Sequence, residues 1–332
     1  MRRAKILNDP RDVVTEALEG LVAASHGKLR LVDGTTAVVR SRLDAARVGL
    51  LVGGGSGHEP LFAGFVGEGL ADAAACGNVF AAPTPDIILA ATRAVDRGKG
   101  VLYVYGNYAG DNLSFDMAAE LAAEEGIETA TVRVWDDVAA APPDRPDDRR
   151  GIAGDLFVIK VAGAACTLAG TLEEALATTV RARDNTRSIG VAVAPGSIPE
   201  TGKPTFELGD GEIEIGMGLH GESGVERTTL GLADPLVTDM LGRILADLPF
   251  AVGDKVCLLV NDLGSTTWLE LLVATRKAHA ILDAAGIHIH DTLVGSFCTS
   301  QEMAGLSLTL MKLDGDLEQH YDLPAHSPAL TM

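Results

Sequence analysis

Residues Val48 to Pro60 read VGLLVGGGSGHEP. Val48 to Val52 form a continuous run without polar alternation, the pattern of a strand buried on both faces. Such strands belong to parallel sheets covered by helices. The run passes into a glycine loop that ends in His58, so backbone N–H groups at the carboxyl end of a buried strand can meet a ligand oxygen or phosphate. The same succession recurs twice. Val101 to Tyr105 leads into Gly106-Asn107-Tyr108-Ala109-Gly110-Asp111, and Lys255 to Val260 leads into Asn261-Asp262-Leu263-Gly264-Ser265. Strand, loop and helix in alternation predict βα units around a largely parallel sheet.

The helical stretches carry recognisable ends. Asp86 to Ala94 follows Pro85, whose missing N–H is harmless at a helix start. Phe115 to Glu125 is rich in alanine and glutamate and stops at Gly126. Thr171 to Arg183 has Thr171 as its cap, with Glu173 and Glu174 in the first turn. Ala141 to Arg150, with three prolines and six charges, reads as an exposed loop. After the connector at 184–188 the texture changes. A strand at Ile189 to Ala194, a turn at 199–204, a hairpin from Phe206 to Glu214 and another hairpin after Ser307 to Leu313 give the second half a mixed character. The expected fold is therefore α/β in two domains. Residues 1–185 carry a largely parallel sheet and residues 186–332 are mixed α+β.

At 332 residues the chain has room for about two domains. Acidic residues outnumber lysine and arginine, 46 to 27, for a formal charge of −19. That surface disfavours nucleic acid and anionic membranes. Apolar residues, 47% of the chain, suffice for a large core, yet no uninterrupted stretch is long enough to span a bilayer. Cys76, Cys166, Cys257 and Cys298 are far apart and sit among apolar or small residues, as buried free thiols of a reducing compartment do. The expectation is a soluble cytoplasmic protein.

Three segments could carry chemistry. GGGSGHEP at 53–60 has His58 where a dinucleotide fingerprint needs glycine, and lacks the lysine of a P-loop. It is either a polar cradle edged by an imidazole or a tight turn with a surface histidine. Asp111 is a natural helix cap, but two loops leaving parallel strands converge at one sheet edge, so His58 and Asp111 can face one small molecule as an acid–base pair. Gly216 to Gly224, GMGLHGESG, sets His220 between glycines. That suits close approach to a ligand, a bulge, or a metal-binding histidine. His288 and His290 alternate along one strand, half of a metal site without visible partners, and no metal is expected. No G-x-S-x-G elbow occurs, which weakens a serine-hydrolase reading.

Together with CGNVFAAPTPD at 76–86, GNYAGDNLSFD at 106–116, GKPTFEL at 202–208, NDLGST at 261–266 and PAHSPAL at 324–330, these segments resemble the dihydroxyacetone kinase family, specifically its ketose-binding DhaK or Dak1-type subunit. The resemblance implies a kinase acting on a small ketose, either dihydroxyacetone or a four-carbon erythrulose. A histidine captures the carbonyl carbon as a hemiaminal and matches His220; a neutral imidazole nitrogen is a competent nucleophile toward a carbonyl. An aspartate that contacts the reacting hydroxyl matches Asp111, and a supporting histidine matches His58. Gly55, Ser56, Gly57, Gly77, Asn78 and Gly106 match the substrate-binding positions, and the resemblance implies a substrate site between the two domains.

The family takes phosphate from a partner subunit or from a fused helical nucleotide domain. This chain has no nucleotide motif and ends at Met332, where the ketose-binding unit would end. The resemblance thus implies a separate DhaL-like donor carrying nucleotide and magnesium, no cofactor held by this chain, and a homodimer. One departure matters. Dihydroxyacetone-specific relatives commonly carry lysine where Gly106 stands, so a longer ketose is expected to fit. Ser223, where proline is frequent, is a minor one. The competing reading is a ketose-binding regulator without kinase activity.

Overall fold

The computed structural model describes residues 5–43 and 46–332 and divides into two compact units. One comprises the described residues up to Val134, Phe157–Arg183 and Leu317–Met332; the other comprises Trp135–Leu156 and Asp184–Asp316. The chain therefore crosses between units more than once. Residues 135–156 and 317–332 pack with the units opposite to those that a single cut after residue 185 would give them.

The first unit is built on a six-stranded sheet of β1 (Leu29–Leu31), β2 (Ala37–Arg40), β3 (Gly49–Ser56), β4 (Ala73–Val79), β5 (Val101–Gly106) and β6 (Thr129–Val134). The spatial order is β1-β2-β4-β3-β5-β6. β3 runs parallel to β4 and β5, and β5 parallel to β6, while β1 and β2 are antiparallel additions at one edge. Helices α1 (Val13–Ala24), α2 (Pro85–Val95), α3 (Ala109–Glu124), α4 (Asp155–Leu168, from Phe157 onward) and α5 (Leu172–Asp184) complete this unit. Leu51, Ala73, Ala75, Ile88, Val95, Tyr103, Tyr105 and Phe115 form one fully buried cluster between strands and helices. Each large side chain there contributes about 1.5–3 kcal/mol by leaving water. Thr171 caps α5 as its sequence suggested, accepting from the Glu174 N–H at 3.2 Å.

The second unit contains β7 (Thr186–Ala194), β8 (Glu212–Ile215), β9 (Glu226–Thr229), α6 (Ala233–Asp247), β10 (Lys255–Asp262), α7 (Trp268–Ala284), β11 (His288–Gly295) and β12 (Ala304–Leu313). The last helix, α8 (Gly315–Tyr321), starts at its end. The sheet order is β11-β10-β12-β7-β8-β9. Only β10 and β11 are parallel, so this sheet is mixed and mostly antiparallel. Its core gathers Ile189, Val191, Val237, Met240, Leu241, Ile244, Leu258, Val260, Leu308 and Leu310.

The two sheets match the α/β expectation, with local corrections. β3 does not stop at Val52 but continues through Ser56, because Gly53 to Gly55 keep pairing with β4. α3 starts at Ala109, six residues before the alanine-rich stretch that announces it, since Tyr108 already has the extended conformation of a cap residue. The expected 206–214 hairpin does not form. β8 instead pairs with β9, so the histidine-bearing segment 216–225 is the connection of the hairpin. Asp314-Gly315-Asp316 opens α8 rather than a hairpin, as the Asp314 carboxylate accepts the Asp316 N–H at 3.0 Å. The register of β10 with β11 skips His290, so a bulge breaks the simple alternation of His288 and His290. The 141–150 loop is not exposed throughout. Arg149 at its end is 1% exposed and reaches Asp247 on α6. The four cysteines are buried thiols outside any disulfide, and burial pushes the Cys76 thiol up to about 12. Among the described residues no helix is long and apolar enough to cross a membrane.

Candidate functional site

The glycines of GGGSGHEP are required by contact rather than by looseness. A Cβ on Gly53 would stand 2.5 Å from Ala75 O, one on Gly54 2.4 Å from the Phe62 ring, and one on Gly55 2.8 Å from Ala81 N. On the neighbouring strand, a Cβ at Gly77 would lie 2.0 Å from Ala81 O. The turn after β4 therefore folds back onto the missing side chains of Gly55 and Gly77. Two hydrogen bonds fix it there: the Ser56 hydroxyl donates to Gly77 O at 2.7 Å, and Phe80 N donates to Ser56 O at 2.8 Å. Asn78, exposed at the end of β4, accepts from Ala81 N across the same turn.

The picture of a loop offering its amides is corrected accordingly. Gly53 to Gly55 are strand, and the turn proper starts at Gly57, whose φ of +104° suits glycine. Its N–H is already held by the Glu59 carboxylate at 3.0 Å. His58 is not a surface histidine. It is 4% exposed, its ring centroid 5.1 Å from that of Phe80. Asp111 is buried, at 9% exposure, as the third residue of α3 rather than its cap. There the partial positive charge of the helix start favours a carboxylate. A Cβ on the adjoining Gly110 would meet Ala82 at 3.4 Å, so α3 begins against the same turn that covers Gly55 and Gly77. Gly106 is buried at the last rung of β5, paired with Val134, and Asn112 Nδ2 donates to Asn107 Oδ1 at 2.8 Å just beyond it. Burial, with smaller contributions from the Asp116 and Asp111 charges and against the pull of Arg133, pushes the Tyr105 hydroxyl up to about 12. The first unit thus brings His58, Gly55, Ser56, Gly57, Gly77, Asn78 and the start of α3 around one turn, residues 78–82.

His220 belongs to the second unit, in the turn joining β8 and β9. Gly216 and Gly221, at φ of +79° and +85°, reverse the chain on either side of it. The turn closes on itself: Gly221 N donates to Gly218 O at 3.1 Å and Gly218 N to Glu222 O at 3.0 Å. The imidazole Nδ1 lies 3.1 Å from Glu222 Oε1, and the His220 N–H donates to Glu222 Oε2 at 2.9 Å. Burial is the largest influence on Glu222 and raises it. The hydrogen bond and charge of His220, with the turn amides, outweigh burial and draw the carboxyl down to about 2. The His220 side chain remains 27% exposed.

Sequence reasoning missed the groups that hold this turn. Glu222 stood within the quoted motif, two residues from the histidine, and that spacing was its only signal. Arg150 gave none. It donates to Asp137 at 2.7 Å and to Gly216 O at 3.0 Å, spanning 66 residues of sequence to the latter. Burial, against the pull of Arg150, raises Asp137 to about 6.

Residues 19–329 match the family described as the Dak1 domain. The chain is 42% identical over 330 residues to the Listeria innocua PTS-dependent dihydroxyacetone kinase 2, dihydroxyacetone-binding subunit DhaK, covering 99% of this chain and 98% of that protein. It is 40% identical to the L-erythrulose kinase of Pectobacterium atrosepticum, covering 98% of this chain and 55% of that longer enzyme. Among solved structures, the dihydroxyacetone kinase of C. freundii superposes with a TM-score of 0.90 at 32% identity, over 99% of this chain and 60% of that one. The dihydroxyacetone kinase operon co-activator Dha-DhaQ gives 0.90 at 29% identity, over 97% and 98% of the two chains. By its sequence along almost its whole length, and by its fold, the chain belongs to the Dak1 domain family.

Proposed function

We propose that this chain is the ketose-binding subunit of a dihydroxyacetone-type kinase, working as a homodimer with a separate DhaL-like donor subunit that carries nucleotide and magnesium. The observation that supports it most is the β8–β9 turn. Its glycines and internal hydrogen bonds place one imidazole at the tip of a hairpin, built for His220 to meet a small electrophile. A ketose carbonyl is the electrophile an imidazole nitrogen can add to reversibly. In the other unit, buried Asp111 is the base or orienting acceptor for the hydroxyl that takes the phosphoryl group, and His58 supports it. Gly55, Ser56, Gly57, Gly77, Asn78 and Gly106 bind the substrate. The donor's metal supplies the charge stabilisation that phosphoryl transfer needs, while this chain supplies position. The substrate is a short ketose, and glycine at 106 favours the four-carbon erythrulose over dihydroxyacetone. Likeness to an L-erythrulose kinase is in keeping with that choice.

The likeness to an operon co-activator favours a second reading, a regulator that captures a ketose and transfers nothing. One experiment separates them. The protein is incubated with dihydroxyacetone and with erythrulose, the covalent adduct is detected by native mass spectrometry, and a competent donor subunit with nucleotide and magnesium is then added. Adduct lost in His220→Ala, followed by sugar phosphate, is the expected result. Adduct without phosphate supports the regulator, and no adduct removes both readings.

A further inference from the structure

The β8–β9 turn holds a carboxylate whose placement the capture of a ketose does not by itself explain. Glu222 uses both oxygens on one residue, Oε2 on the His220 N–H and Oε1 on the ring Nδ1. It sits where Gly218 has no side chain: a Gly218 Cβ would fall 2.2 Å from Glu222 Oε2 and 2.5 Å from a terminal nitrogen of Arg150. Arg150, itself anchored by Asp137 and Gly216 O, borders the same space that the missing Gly218 side chain leaves. The hairpin's other charged pair, Glu214 with Arg227, closes the base of the turn, where Glu214 Oε1 also accepts the Gly224 N–H at 2.6 Å. The carboxylate is therefore fixed independently of any ligand.

We propose that Glu222 is a positioning residue for His220, holding its ring as the Nδ1–H tautomer with the lone pair on Nε2 and stabilising the positive ring that forms when Nε2 adds to a ketose carbonyl. This rests on the reading of His220 as the capturing residue. A carboxylate can only accept, so Nδ1 must carry the proton toward it, and the other ring nitrogen is then the nucleophile. In the addition, the Nε2 lone pair forms the bond to the carbonyl carbon. The C=O π pair moves to oxygen, which takes a proton from solvent. The alkylated ring, now cationic, keeps its Nδ1 proton against Glu222. Carboxylates behind metal-binding histidines act on the same principle, and losing them costs about 10- to 100-fold in affinity.

The test has two independent readouts on the full-length protein. Two-bond 1H–15N correlation spectra of the histidine rings report the tautomer, and dihydroxyacetone and erythrulose carrying 13C at the carbonyl report the adduct. Wild type is expected to show His220 as Nδ1–H. Glu222→Gln can turn its amide toward Nδ1, so it is expected to shift the ring to Nε2–H and weaken the adduct about 10- to 100-fold. The pH at which the adduct loses its ring proton should fall by about one unit. An Nε2–H ring in wild type overturns the proposal even if the variant fails to fold. Unchanged affinity and pH profile in a folded Glu222→Gln variant overturn it as well. Adduct lost in His220→Ala but intact in Glu222→Gln removes the positioning role alone. No adduct in wild type removes the capture reading and this role with it.

Discussion

Gly77 and Ala81 touch backbone to backbone: a Cβ on Gly77 would stand 2.0 Å from the Ala81 carbonyl oxygen. Ala82 and Pro83 crowd the same point at 2.6 and 2.7 Å, so nothing there can swing aside. Gly77→Ala must displace the turn at 78–82, at a cost of about 1–3 kcal/mol for overpacking. Urea unfolding measures that cost. Because the same turn covers Gly55 and adjoins His58, ketose binding should weaken as well, and a variant as stable and as tight as wild type would contradict the assignment.

Asp111→Asn separates binding from transfer. The variant keeps its size and place in the first turn of α3, so adduct at His220 should form as before. Phosphoryl transfer should fall by about 10²–10⁴, the range for a lost general base. Steady-state kinetics with a donor subunit check this: kcat falls while KM stays within a few-fold.

Gly106→Lys places a cation at the end of β5. It is expected to reverse the preference for the longer ketose, changing the ratio of kcat/KM for erythrulose over dihydroxyacetone by about tenfold. That is the scale on which a pocket distinguishes one small group. Competition assays with both ketoses give the ratio directly.

Glu222 contributes stability that depends on pH, with a definite sign. Its carboxyl is held at about 2 in the folded protein, below the ordinary carboxylate range, so the folded state favours the charged form. That contribution is complete above about pH 5 and disappears as pH falls toward 2. The difference in melting temperature between wild type and Glu222→Gln should therefore shrink between pH 6 and pH 3.

Asp247 is shared by two guanidiniums. Arg149 Nη1 donates to Oδ1 at 2.9 Å and Arg187 Nε to the same oxygen at 2.5 Å, with the three side chains 1–10% exposed. Asp247→Ala removes the carboxylate that both buried cations share. The expected loss is about 3–5 kcal/mol, read from denaturant midpoints.

Much of this was legible along the chain. The apolar runs ending in Val52, Tyr105 and Val260 became β3, β5 and β10, because a strand buried on both faces needs unbroken apolar sequence wherever it occurs. Pro85 and Thr171 marked helix starts through local bonding alone. His58, Asp111 and His220 stood out because glycine-rich segments around ionisable groups are rare in a packed core.

What the chain did not show was set by groups distant in sequence. Whether Gly53 to Gly55 are loop or strand depends on β4 lying alongside, and glycine propensity favours neither. Whether His58 edges a cradle or lies on the surface stays open along the chain until Phe80 is seen to cover it. Phe206 to Glu214 alternates like a strand, yet the pairing partner was 226–229. Arg149 looked like part of an exposed loop until α6 brought Asp247 to it. The sequence alone determined the α/β class, through its apolar runs, and singled out His58, Asp111 and His220 as candidates through glycine-rich motifs and the family they resemble. Tertiary structure decided the register of β3, the burial of His58 and Asp111, and the carboxylate behind His220, because each depends on which atoms fill the space beside a glycine.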